Sequence, residues 1–249
     1  MVEFKLCLAE VVVSVSALYE STREFCKDYL TDKDAAFAVS VSESDIAAES
    51  VKSDEERRLE GLKPYEYPPE YLETLALYRK IAEGLVDYGI ILFHGSAISV
   101  DGEAYIFTAK SGTGKSTHTR LWRELLGERA VMVNDDKPLI ALRDGGAVVY
   151  GTPWNGKHGL GKNISAPLKA ICILGRSEKN VIKQESSRGA FGEIFSQTYR
   201  FSSPIGMKKT LEILEGMMNC VSVYRLGCNM DIEAAEVAYN KMRGQENEA

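Results

Sequence analysis

The residues Ala109-Lys110-Ser111-Gly112-Thr113-Gly114-Lys115-Ser116 have the types and spacing needed to hold a phosphate group. They fit the Walker A pattern with Ala109 in place of its first glycine. Gly112 and Gly114 permit a tight turn that brings backbone N–H groups against phosphate oxygens. A helix opening at Lys115 would aim its positive end at the same oxygens. Lys115 is long enough to reach β- and γ-phosphates, and Ser116 can ligate Mg2+. The competing reading is a flexible glycine turn before an unrelated helix.

A second set of residues complements the first. Val131-Met132-Val133-Asn134-Asp135-Asp136 is a short apolar run ending in two carboxylates, with Asp135 lying 19 positions after Ser116. One carboxylate can hold Mg2+, directly or through water, and the other can accept a proton from an attacking hydroxyl. A shared metal favours the charged form of both, so the two can divide these roles. Alone, the pair also reads as a surface turn before Pro138.

These groups work only if strands and helices hold them. Tyr105 to Thr108 is a strand pattern just before the loop, Lys115 to Leu126 a helix pattern just after it, and Ala130 to Val133 the next strand. Further strands are expected at Ile90–Phe93, Ala97–Val100, Leu139–Leu142, Ala147–Tyr150, Ala170–Leu174 and Val221–Leu226. Asp101-Gly102 marks a hairpin turn. Two more helices are expected around Met207–Met218 and Ile232–Met242, the second capped by Asp231. The chain divides near residue 88 into a small N-terminal α+β module, 1–88, and a phosphate-loop domain, 89–249. In the module, residues 3–15 alternate as one or two strands, Tyr19–Leu30 reads as helix or loop, and Ala36–Val41 reads as a strand. The polar, proline-bearing stretch 42–69 predicts an exposed connection, and Glu70–Tyr88 a helix. The acidic end, Gly244–Ala249, is expected to fray.

The ordered set Phe93-His94-Gly95-Ser96, Ile106-Phe107-Thr108-Ala109, Ser111 to Ser116 and Asn134-Asp135-Asp136 resembles the catalytic domain of HPr kinase/phosphorylase. That family shares its core with ATP-dependent phosphoenolpyruvate carboxykinase. The likeness runs from about Ile90 to Met242 and is concentrated on the loop and the acidic pair. It implies an α/β fold: a phosphoenolpyruvate carboxykinase/HPr kinase-like P-loop core with a mixed, strand-rich sheet. It implies ATP and Mg2+ as cofactors, with the nucleotide on Ser111, Gly112, Thr113, Gly114, Lys115, Ser116 and Thr117. Ser116 would ligate Mg2+, Asp135 and Asp136 would divide metal binding and general-base work, and His94 would line the site. Relatives transfer phosphate to a serine hydroxyl, and some run the reverse phosphorolysis. Thr117 stands where HPr kinases carry an acidic residue, and it resembles the carboxykinase loop instead.

Gly151 to Asn163 is glycine-rich and basic, which suits a lid over phosphates or an acceptor-binding edge. Gly159-Leu160-Gly161 echoes an Arg-Gly-Leu-Gly segment of HPr kinases, with His158 in place of the arginine. Lys157 or Lys162 could then supply the charge that stabilises a transferring phosphoryl group. Arg176 could reach a phosphate. His118 reads as a packed or surface histidine, Arg120 and Arg123 as solvated helix charges, and Met217, Met218 and Met230 as core fillers.

Composition bounds these readings. The 249 residues allow one large domain or a medium one plus a small one. A net charge of −6 argues against broad nucleic-acid or anionic-membrane binding. No apolar window is long enough to predict a spanning helix, and Glu3 and Glu10 break a signal-peptide pattern, so the expected address is the cytoplasm. Five cysteines without a CxxC pair read as buried free thiols. The expected function is Mg-ATP-dependent transfer of the γ-phosphoryl group to a hydroxyl, first a serine hydroxyl, of a small molecule, peptide or protein. Asp136 would take the proton and Asp135 the metal, or the reverse. Two alternatives stand beside it: a nucleotide-binding regulator without turnover, and a phosphate- or pyrophosphate-dependent enzyme of the carboxykinase type. Homo-oligomerisation is left open.

Overall fold

Apolar alternation at the N-terminus becomes a hairpin of β1 (Val2–Leu8) and β2 (Val11–Ala17), turned by Ala9 and Glu10, both at positive φ. The computed structural model describes residues 1–59, 61–156, 158–201 and 203–244. Within them the chain is a mixed α/β protein of two units, Met1–Tyr88 and Gly89–Ala249. In the first unit, α1 (Glu20–Phe25) follows the hairpin, and β3 (Phe37–Ser40) adds to β2 in parallel. Helices α2 (Glu43–Leu59) and α3 (Pro69–Leu85) complete it.

The helix α2 corrects the expected exposed connection over 42–69. Its apolar residues are too few to mark a stripe. A capping box starts it instead: the Ser42 N–H donates to Asp45 Oδ2 at 2.8 Å, and the Asp45 N–H faces Ser42 Oγ at 3.4 Å. Glu49, buried, then accepts from Arg79 Nε of α3 at 2.8 Å. Such a pair is costly to break on one side only. Glu73 of α3 is fully buried and accepts from the Leu18 and Tyr19 N–H groups and from Thr22 Oγ1, which fixes the start of α1.

The second unit runs β4 (Ile90–Leu92), β5 (Ser96–Val100), β6 (Glu103–Thr108), α4 (Lys115–Leu126), β7 (Ala130–Asn134), β8 (Leu139–Arg143), β9 (Gly146–Tyr150), β10 (Ser165–Arg176), β11 (Val181–Glu185), α5 (Ser187–Ser196), α6 (Pro204–Cys220), β12 (Ser222–Cys228) and α7 (Ile232–Met242). The sheet order is β4-β8-β9-β10-β6-β5-β7, with β12 on β10 and β11 on β12. The twelve-residue β10 joins the parts of the sheet, pairing antiparallel with β9 at its start and parallel with β6 and β12 beyond. Tyr105, Phe107, Trp122 and Tyr239 form the aromatic centre of the core between the sheet, α4 and α7.

β11 and α5 were not expected from sequence. Asp231 occupies the N-cap of α7, but its side chain makes no capping bond. Met217 and Met218 are buried as expected, whereas Met230 is 76% exposed in the turn after β12. The cysteines are free, but only Cys26 and Cys172 are buried and Cys220 is exposed. No described helix is long and apolar enough to cross a membrane. The expected fraying beyond Gly244 falls on 245–249, outside the described residues.

Candidate functional site

Strand directions bring the sequence signals to one edge of the sheet. β5 lies between β6 and β7 and is antiparallel to both. The start of β5 therefore sits beside the ends of the other two: Ser96 faces Phe107, and Ala97 faces Asn134. His94 precedes β5, the glycine loop follows β6, and Asp135-Asp136 follows β7.

The register makes the placement firm. Leu92 of β4 faces Leu139 of β8, and Ala97 of β5 faces Asn134 of β7, so the same antiparallel register resumes across the gap. Within the gap, the Phe93 N–H donates to the Pro138 carbonyl at 3.1 Å and the Gly95 N–H to the Asp136 carbonyl at 3.0 Å. A Cβ on Gly95 would meet Ile106 Cγ2 at 3.0 Å and the Phe107 carbonyl at 3.1 Å, so glycine lets these strands approach. The His94 carbonyl accepts from Thr108 Oγ1 at 2.9 Å, and the His94 N–H donates to the Gln197 carbonyl at 2.7 Å.

The glycine loop leaves β6 through buried Ala109, whose methyl joins the core cluster. Ala109 keeps a negative φ, so a glycine is not needed there; Gly112 and Gly114 take φ of +74° and +122° and do need it. Gly114 is the N-cap of α4. Lys115 Nζ donates to the Ala109 carbonyl at 3.2 Å, and Arg176 Nη2 donates to the Gly112 carbonyl at 2.6 Å. Ser111, Gly112 and Ser116 are exposed, and Thr113 and Thr117 are half-buried.

The carboxylates differ. Asp135 is buried, and its Oδ1 accepts from the Gly156 N–H at 2.5 Å. Asp136 is half-buried, with Oδ1 3.4 Å from His94 Nε2 and Oδ2 3.7 Å from Lys137 Nζ. Burial pushes the Asp136 carboxyl up. The hydrogen bond from His94 and the charges of Lys137, His94 and Lys115 outweigh it and hold the group below its ordinary value. Asp136 is thus ionised at neutral pH and shares a field with His94 and Lys115.

Asn134 positions both. Fully buried, it accepts the Asp136 and Lys137 N–H groups on Oδ1, at 2.9 and 2.7 Å. Its Nδ2 donates to Thr152 Oγ1 at 2.9 Å and faces the Thr152 and Trp154 carbonyls at 3.3 Å. Sequence reasoning gave Asn134 no role. The available signal was an asparagine at a strand end ahead of two carboxylates, a residue suited to bonding the backbone two positions on.

No family model matches the chain, and no curated protein does. Among solved structures, the chain is similar to the Hpr(Ser) kinase/phosphatase from Coxiella burnetii: 11% identity and a TM-score of 0.34, over 61% of this chain and 99% of that one. A likeness of that size carries no argument about the site.

The basic loop divides in two. Residues 152–156 pack on the acidic turn, with Trp154 buried, while His158 and Lys162 are exposed. Lys157 lies outside the described residues. His118 is buried, accepting from Trp122 Nε1 on Nε2 at 3.1 Å, so of the two placements expected for it the packed one is found.

Proposed function

We propose that the chain is an Mg-ATP-dependent phosphotransferase that moves a γ-phosphoryl group to a hydroxyl, a serine hydroxyl before others. One observation carries the reading: a strand–glycine loop–helix unit and an ionised carboxylate, Asp136, share one sheet edge with His94 and Lys115 around them. Residues 89–249 are the catalytic part, with a P-loop core. The exposed arm with His158 and Lys162 chooses the acceptor.

Loop N–H groups and the opening of α4 hold the phosphates of ATP, and Lys115 leaves the Ala109 carbonyl to bind the γ-phosphate. Asp136 accepts the hydrogen bond of the incoming hydroxyl and orients its oxygen. A depressed pKa makes it a weak base, so the proton passes to an Asp136 oxygen late, as the new O–P bond forms and ADP leaves. His94 donates to the same carboxylate and holds its rotamer. Ser116 and the Asp135–Asp136 pair offer hard oxygen donors of the kind Mg2+ takes. That ion, when bound, neutralises charge on the β- and γ-oxygens.

The test is ADP release from Mg-ATP with free serine, serine-containing peptides and cell extract as acceptors. Acceptor-dependent release should fall by about 10²–10⁴-fold in Asp136→Asn, with ATP affinity nearly unchanged. Tight ATP binding with no release in any mixture would favour the regulator reading instead.

A further inference from the structure

The sheet order separates two flanks of the glycine loop. β5 and β7, which bring His94 and Asp136, lie on one side of β6; β10 and β12 lie on the other. On that second side, the parallel ends of β10 and β12 and the first turn of α4 border an open cavity of about 770 Å³, within the size range of small-molecule sites. Gly112, Gly114 and Thr117 form its loop-side wall, and Leu174, Cys228 and Met230 give it apolar surface. Met230, 76% exposed, is otherwise an unexplained apolar side chain in open solvent.

His118 also lines this cavity and is unfinished. The Trp122 indole can only donate, so His118 Nε2 accepts and the ring proton sits on Nδ1. That Nδ1 is buried and has no hydrogen-bond partner. An unsatisfied buried donor costs about 1–3 kcal/mol, and this one lies behind the cavity wall, so His118 contributes ring surface to the cavity rather than a hydrogen bond.

We infer that this cavity takes the nucleoside part of the phosphoryl donor, so that the nucleotide lies across the loop with its base over the β10–β12 end and its terminal phosphate at the β5–β7 end. The inference rests on the reading of the loop as a phosphate site and assigns the direction of the ligand upon it. Leu174, Cys228 and Met230 contact the base, and Thr117 lies where the ribose meets the phosphates.

Cys228 supplies a reporter in the intact protein. It is a free, half-buried thiol on the cavity wall, and exposed Cys220 serves as the reference. Alkylation by iodoacetamide is followed at both residues by peptide mass spectrometry, with Mg-ATP or Mg-tripolyphosphate present. ATP at ten times its Kd should slow Cys228 alkylation about tenfold, tripolyphosphate at equal occupancy should change it less than about twofold, and Cys220 should not respond. Ser177→Trp, a change on the exposed cavity rim, should weaken ATP binding by at least about tenfold while leaving tripolyphosphate within about twofold. If both ligands bind equally well, neither protects Cys228 and Ser177→Trp is silent, the cavity is not the nucleoside site and the loop reading stands. If neither ligand binds at all, the loop reading falls and this inference with it.

Discussion

Two polar segments meet at the same sheet edge, and the protein holds them in opposite ways. In the turn from Asn134 to Lys137, carbonyls, N–H groups and side chains are bonded to the protein itself: to Gly95, Ser96, Thr152, Trp154 and Gly156. The glycine loop rests on few such bonds and presents Ser111, Gly112 and Ser116 to solvent. The carboxylate side is preorganised by the fold, which is what positions charge without reorganisation during a reaction. The loop is shaped by its backbone dihedrals, with Gly112 and Gly114 at positive φ. Changes to the loop's side chains should therefore cost activity without stability, and changes in the turn should cost both.

Lys115→Met should show the largest separation. The kcat/KM for phosphoryl transfer should fall about 10²–10³-fold, the scale of losing one charge-stabilising donor. Urea denaturation should place its stability within about 1 kcal/mol of wild type. Asn134→Ala tests the other side. It orphans the Asp136 and Lys137 N–H groups and removes the tie to Thr152 and Trp154, so stability should drop by about 2–4 kcal/mol and kcat should fall with it. A stable Asn134→Ala protein with normal kcat would erase the contrast.

His118 sits directly behind the loop and adds a pH dependence. Burial pushes its pKa down from 6.5 to about 4. Below pH 6.5 the unfolded chain binds a proton that the folded protein refuses until about pH 4, so stability must fall as pH falls through that window. The loss reaches about 3 kcal/mol from this group. His118→Gln keeps an acceptor for Trp122 and should flatten the slope of unfolding free energy between pH 6.5 and 4. An unchanged slope would mean that another group dominates.

The same contrast explains what the sequence revealed. The glycine loop and α4 were legible because their signals are local: positive-φ glycines, a basic residue at the helix start, and Gly127 at its end. The two carboxylates were legible as types. Their unequal environments were not, because Asn134 and Asp135 find partners at 152–156, across β8 and β9. The helix α2 was hidden because its cohesion comes from Arg79, thirty residues from Glu49. β11 is a largely polar edge strand, and Gly189 and Gly192 blur the periodicity of α5.

The smallest expected effect separates backbone shape from ligand binding. Gly112 and Gly102 both hold positive φ, +74° and +87°, and a Cβ at either would meet nothing within 4 Å. Alanine at either position therefore faces only the left-handed backbone penalty, about 1–2 kcal/mol. Gly102 turns the β5–β6 hairpin, whereas Gly112 lies in the loop proposed to hold phosphate. Equal losses of stability are expected for Gly102→Ala and Gly112→Ala in urea titrations, with a fall in tripolyphosphate affinity only for Gly112→Ala. Equal affinity in the two variants would mean that the loop does not need its glycine geometry to hold phosphate. The preorganised turn would then be left as the only shaped part of the site.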